Sequence, residues 1–221
     1  MRSIVRRGVR RIIYSTPLHR WLGFGQQRLD GQYWDRQLAG AFKPYLGGTI
    51  AVEVRNTATL AMLRIVHPTL HSVLDVGCAS ESLARSSDAR GLDYTGVDIS
   101  TVAIEEARRL SPGRAFHAAR LEDHRPDRMY DTVIFNEVLY YLPVEEAVRE
   151  YRRYAAHLET GGLVVISMKH DPKSEGIMRA IVRESTWVSG LLTQEKKDGP
   201  GWSIRVDAAR PAYMIGIVRP G

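Results

Sequence analysis

Apolar residues along the chain follow two patterns, short uninterrupted blocks and stretches in which they return every three or four positions. The blocks Ser72 to Val76, Tyr94 to Asp98, Arg114 to Ala118, Asp131 to Asn136 and Leu163 to Met168 predict strands buried on both faces. Helical spacing separates them. Glu81 to Ser86 starts one helix, TVAIEEARRL follows the N-cap residue Ser100, and Val144 to Leu158 is amphipathic. Upstream, GQYWDRQLAGAFKPYLGG predicts a helix with Tyr33, Trp34, Leu38 and Phe42 near one face, ended by Pro44 and Gly47-Gly48. A second helix is expected from an N-cap at Asn56, through Leu60, Leu63, Ile65 and Val66, to the stop at Pro68. Downstream, Ser174 to Val188 has helical spacing, while Trp202 to Val206 and Tyr213 to Val218 predict an antiparallel pair across Pro211. Strands separated by helices imply a parallel sheet covered on both faces, with ligands bound at the carboxyl ends of its strands.

Composition fits one domain with an extension: 221 residues, 44% hydrophobic. A single cysteine, Cys78, excludes an intramolecular disulfide framework and fits a cytoplasmic protein. No run approaches the roughly 20 apolar residues of a membrane span. The net charge of +6 is local, because residues 1–29 hold seven arginines and no acid, leaving 24 basic against 25 acidic side chains elsewhere. That basic arm is organised as Arg interleaved with Ile4, Val5, Val9, Ile12, Ile13, Leu18, Trp21 and Leu22. It fits either peripheral contact with an anionic membrane or a helix that covers a cofactor or forms a dimer. A near-neutral body without an appended RNA-binding module argues against nucleic acid as a partner.

The chemistry centres on VLDVGCASESLAR and the later YTGVDIS. Gly77 permits a tight turn with no Cβ where a ligand approaches, and Ala79 is the next smallest choice. Asp98 ends the second strand, 23 residues after Asp75, where a carboxylate can accept hydrogen bonds from ribose hydroxyls. These segments, with YDTVIFNEVLYYL and LETGGLVVIS, resemble class I S-adenosylmethionine-dependent methyltransferases of the bacterial type that acts on small molecules and saccharides, including the nodulation-factor N-methyltransferase group. The resemblance implies an α/β fold: a Rossmann-like, seven-stranded, mostly parallel sheet with helices on both faces and a C-terminal antiparallel strand pair. It divides the chain into a basic arm (1–29), lid helices (30–70) and a methyltransferase domain (71–221). It further implies S-adenosylmethionine as cofactor, held by Asp75, Gly77, Cys78, Ala79, Asp98 and Ile99, with Arg120 and Leu121 beside adenine and Asn136 facing the methyl group.

Two positions depart from that family's pattern. Glu81 stands where a third glycine is common, and HAARLED lacks the acid often found before Arg120. A dinucleotide-binding dehydrogenase also wants an acid at the end of its second strand, but the turn GCASES lacks the small residues that a pyrophosphate demands.

Methyl transfer to a hydroxyl benefits from a base, whereas an amine need only be unprotonated. His170 and Glu137, at the ends of the fifth and fourth strands, are the candidate catalytic residues. Tyr14, Tyr33, Trp34, Tyr141 and Trp202 are candidate substrate-lining aromatics, and Trp187 is a further lid candidate. Ligand spacing supports no metal site. A divalent ion among Glu137, His170 and Asp171 is the alternative carried beside that reading. The acceptor expected from these features is a small polar metabolite, a carbohydrate hydroxyl ahead of an amine or amino sugar. A non-catalytic interaction module of the same fold remains the other class. The protein is expected as a monomer or homodimer.

Overall fold

A computed structural model describes residues 30–40, 50–80, 83–86, 89–192 and 213–221. The basic arm, Tyr14, Glu81, Trp202 and the strand expected from Trp202 to Val206 lie outside the described residues.

Helices α1 (Gly31–Ala39) and α2 (Ile50–Val66) precede β1 (Ser72–Val76) and β2 (Asp93–Asp98). Next come α3 (Thr101–Leu110), β3 (Ala115–Ala118), β4 (Tyr130–Asn136), α4 (Val144–Ala155) and β5 (Leu158–Lys169). The chain ends with α5 (Pro172–Val182), β6 (Ser185–Leu192) and β7 (Tyr213–Pro220). The seven strands form one sheet in the order β3-β2-β1-β4-β5-β7-β6. The five from β3 to β5 are parallel, and β7 lies antiparallel between β5 and β6.

Alternation along the central strands explains their uninterrupted apolar sequence. Leu74 and Val76, Val133 and Phe135, and Val164 and Ile166 face one side, where Tyr151, Tyr154, Ile177 and Ile181 of α4 and α5 cover them. Val73, Ile134, Leu163 and Val165 face the other, against Leu60 and Leu63 of α2 and Ile104 of α3. Each fully buried leucine of this kind contributes about 2 to 3 kcal/mol through removal from water. Leu60 and Leu63 of α2 are thus fully buried in the second half of the core, with Met62 and Val66 packed against it.

Three elements differ from the sequence expectation. Helix α2 begins at Ile50, so Asn56 is a buried residue within it and not its N-cap; no breaker stands between Ile50 and Asn56 to stop the helix there. Between β1 and β2 the described residues show only a 3-10 turn, Leu83–Arg85. The helix expected from Ser174 to Val188 is α5, which starts earlier, at Pro172 behind the N-cap Asp171, and stops at Val182. Its last expected residues belong to β6, whose Ser-Thr-Trp-Val start suits an extended strand. Strand β6 therefore takes the place in the antiparallel pair that was expected for Trp202 to Val206. Trp187 lies on this edge strand against Gly190, Gly216 and Met178, four strands from β1 and away from any lid position.

Candidate functional site

The chain leaves β1 in one direction, to β2 and β3, and crosses to β4 and β5 in the other, so the carboxyl ends of β1 and β4 border a crevice. Gly77 turns the backbone out of β1 with φ +84°. A Cβ there would stand 2.7 Å from the carbonyl oxygen of Asn136, so glycine is required by both conformation and space. The Gly77 and Cys78 amides donate to the Val97 carbonyl at 2.8 and 3.1 Å. Ala79, with φ +46°, donates its amide to Asp98 Oδ2 at 3.0 Å. The other carboxylate oxygen of Asp98 accepts from the Ser100 amide at 2.9 Å. Burial raises the Asp98 pKa, and the amides of Ser100 and Ala79 pull it back down.

Asp75 is fully buried and receives the Tyr94 hydroxyl at 2.6 Å. Burial pushes its pKa up to about 7, against the Tyr94 hydrogen bond and the charge of Arg55, while the charge of Asp98 adds to the rise. Cys78 points its Sγ into the core beside Gly96, and burial raises its thiol pKa well above the usual value, so the side chain packs and only its backbone belongs to the turn.

Helix α1 covers the ends of β2 and β3. Its Asp35 accepts from Ser100 Oγ at 2.6 Å, Thr101 Oγ1 at 2.8 Å and the Val102 amide at 3.2 Å, capping α3 from outside. Gly31 rests against Ile99, where an added Cβ would stand 2.9 Å from the backbone oxygen. Between them opens a cavity of about 360 Å³ bordered by Gly31, Asp35, Ile99, Thr101, Ala119 and Arg120. Arg120 is exposed and paired with Glu122 and Asp123. Leu121, expected beside it, turns into the core and accepts the Tyr154 hydroxyl on its carbonyl.

At the end of β4, Asn136 is buried and Glu137 adopts φ +56°, an uncommon backbone for a residue with a side chain. The Glu137 amide donates to the Ser167 carbonyl at 2.9 Å, and its carboxylate accepts from Ser167 Oγ at 2.9 Å. Arg55 of α2 lies 3.8 Å away. Burial raises the Glu137 pKa, opposed by Arg55 and Ser167. Tyr140 hydrogen-bonds this carboxylate and begins a chain of aromatic rings. Tyr140 and Tyr141 pack with centroids 4.5 Å apart, Trp34 meets Tyr141 edge-on at 5.6 Å, and Tyr33 meets Trp34 at 5.5 Å. Lys169 lies over the Tyr140 ring at 5.1 Å.

His170 is engaged elsewhere, its Nε2 2.8 Å from Glu175, which also binds Arg179. Asp171 caps α5 through the Ser174 amide and pairs with Lys169. Among the described residues, Glu137, His170 and Asp171 do not form a metal-ligating group. The structure thus brings together Gly77, Ala79, Asp98, Ile99, Asn136, Glu137, Trp34 and Tyr141, with His170 one residue beyond Lys169, which touches Tyr140, and with the Leu121 side chain turned into the core.

Asp35 and Arg55 belong to the site without having been expected there. Arg55 had a signal: it shares an i, i+4, i+8 stripe with Thr59 and Leu63, both buried, and a lone cation on such a stripe needs a partner.

The methyltransferase-domain family model matches residues 50–209. The dTDP-3-amino-3,4,6-trideoxy-alpha-D-glucopyranose N,N-dimethyltransferase of Streptomyces venezuelae is 30% identical over 122 residues, 54% of this chain and 51% of that protein. Trans-aconitate 2-methyltransferase of Rhodopseudomonas palustris is 30% identical over 148 residues, 63% of this chain and 56% of the relative. The chain therefore spans about half the length of the curated relatives it matches. Among solved structures, the N-methyltransferase NodS from Bradyrhizobium japonicum, in complex with S-adenosyl-L-homocysteine, superposes with a TM-score of 0.69 at 18% identity. That match covers 86% of this chain and 97% of NodS.

Proposed function

We propose that this chain, which belongs to the methyltransferase-domain family, is an S-adenosylmethionine-dependent enzyme that methylates an amine on a small polar acceptor, an amino sugar being the favoured class. The residues present fit the cofactor. Asp98 accepts from the backbone amides of Ala79, Ser100 and Ile99 and keeps remaining acceptor capacity for a ribose hydroxyl. Gly77 leaves its side of the crevice without a Cβ, and Arg55 offers a positive charge at the end of β4 for a carboxylate. The cavity beside Ile99 and Ala119 is the space that would take the adenine. When bound, the cofactor's sulfonium supplies an activated methyl group for in-line displacement.

The observation that carries the amine reading is Glu137. Its carboxylate is largely buried, raised in pKa and fixed by Ser167, in front of the aromatic group formed by Tyr140, Tyr141 and Trp34. Such a group accepts a hydrogen bond from an amine, orients its lone pair and takes up the proton released on methylation. The rings of Trp34 and Tyr141 offer apolar faces to a sugar. A hydroxyl acceptor demands a stronger base than a carboxylate, and His170, whose Nε2 is held by Glu175, is the group that would have to serve it. The similarity to an amino-sugar N,N-dimethyltransferase supports the same choice, so the amine displaces the carbohydrate hydroxyl expected from the sequence.

Release of S-adenosylhomocysteine from a panel of amino sugars, simple amines, neutral saccharides and phenolic acids tests this. Turnover with amino sugars, retained in His170→Ala, is expected. Transfer confined to hydroxyl acceptors, or its loss in His170→Ala, refutes the proposal.

A further inference from the structure

At the opposite end of the sheet, away from the crevice, a second constellation is built by the turn into β1. His67 follows the last residue of α2 and donates its amide to the Leu63 carbonyl at 2.8 Å. Pro68 and Thr69 then turn the chain, and the buried Leu70 pins it, so that His71 stands directly before β1. On the neighbouring strand β4, Asp131 exposes only 6% of its side chain. Its Oδ2 accepts the His71 amide at 2.8 Å, its own amide donates to Ser72 Oγ at 2.8 Å, and its Oδ1 meets His67 Nε2. Glu159 enters from β5, next in the sheet.

We propose that His71, Asp131 and Glu159 bind a divalent transition-metal ion of the zinc type, with His67 orienting Asp131 from behind. One donor atom from each of the three lies within 4.8 Å of the others. His71 Nδ1 is 3.3 Å from Asp131 Oδ2, and His71 Nε2 is 3.5 Å from Glu159 Oε2. An imidazole ligates through one nitrogen, so ligation by Nε2 requires the exposed His71 and Glu159 side chains to shift until that nitrogen stands within about 3.3 to 3.5 Å of both carboxylates, the donor spacing of a tetrahedral site. One imidazole with two carboxylates is a donor set that suits zinc or cobalt better than calcium or magnesium. The Thr69 carbonyl lies 3.3 Å from His71 Nδ1. A proton placed there leaves the Nε2 lone pair free on the side of Glu159. A backbone carbonyl that fixes the tautomer, and a histidine that fixes a ligating carboxylate, are the supports that metal ligands commonly have. His71 and Glu159 are exposed, so the ion keeps positions for water. It would tie together the amino-terminal ends of β1, β4 and β5, the three central strands.

The test uses the full chain, stripped with EDTA and desalted, titrated calorimetrically with Zn²⁺ and spectroscopically with Co²⁺. The expected result is about one equivalent bound with a micromolar Kd. A ligand at a hundred times its Kd raises the melting midpoint of a chain of this size by about 5 to 10 °C. Affinity should fall at least about tenfold in both His71→Ala and Glu159→Gln. Both variants should keep the metal-free melting midpoint within a few degrees and bind S-adenosylmethionine as the parent does. Three results overturn the proposal: no saturable binding up to about 1 mM Zn²⁺, parent-like titrations of both variants, or a thiolate-to-cobalt charge-transfer band, which would assign the ion to Cys78.

Discussion

Replacing Asp75 with Asn isolates the consequence of holding a carboxyl in the dry centre of the sheet. Asp75 is fully buried, receives the Tyr94 hydroxyl at 2.6 Å and a side-chain hydrogen bond from Asn136, and has its pKa pushed up from 3.8 to about 7, chiefly by burial. A folded-state pKa above the unfolded value means that the native protein binds the proton more tightly. Stability contributed by this group is therefore present at low pH, falls as pH rises from about 4, and is fully lost above about 7. At about 1.4 kcal/mol for each tenfold change, the full effect is on the order of 4 kcal/mol. Asparagine keeps the acceptor that Tyr94 needs and carries no charge. Asp75→Asn should thus gain stability over the parent at pH 8, by up to about 4 kcal/mol, a figure already net of the attraction that Arg55 gives the ionised form. The two should converge near pH 4 to 5. Asp98 and Glu137, whose pKa values are also raised, titrate in both proteins, so their direct contribution largely cancels in the difference. Urea denaturation at intervals from pH 5 to 8 measures it. Parallel stability curves for the two proteins across that range would refute the reasoning.

Gly77→Ala forces a Cβ to within 2.7 Å of the Asn136 carbonyl at φ +84°. Urea denaturation should show a loss of about 1 to 3 kcal/mol, and calorimetry weaker S-adenosylmethionine binding. Asp35→Ala removes all three bonds by which α1 caps α3. A loss of about 1 kcal/mol in global stability is expected, together with a KM for S-adenosylmethionine raised at least about fivefold by the loosened cover. Glu137→Gln keeps the side-chain shape but cannot take up a proton, so kcat with an amino sugar should fall about 100-fold. Because burial raises the Glu137 pKa, parental kcat should also decline on the acid side as that carboxyl is protonated, and the variant should lack that limb.

Local chemistry made much of this architecture legible. The block Ser72–Val76 and the helix Thr101–Leu110 behind Ser100 stand where their apolar runs and cap residue predict, because each signal is complete within its own segment. Strand β6 was not legible as a strand. Ile181, Val182 and Val188 continue a helical spacing, and only pairing with β7 decides that Ser185–Leu192 is extended. The turn after β1 and the acid after β2 could be read because the small residues and the carboxylate are close in sequence to the strands that place them. Asp35 and Arg55 act across 65 and more residues of chain, through helices whose docking no local pattern encodes. The left-handed backbone of Glu137 was likewise hidden, since nothing in the type of a glutamate announces it.

Helix α1 has no fully buried residue. Its hold on the body through Asp35, Gly31 and the Trp34 ring edge is made at its surface. Its amides should therefore exchange with deuterium through a low-energy opening that leaves the sheet intact, while those of β1 and β4 exchange only on global unfolding. On the proposed function, S-adenosylhomocysteine would then depart by a route that leaves the core closed.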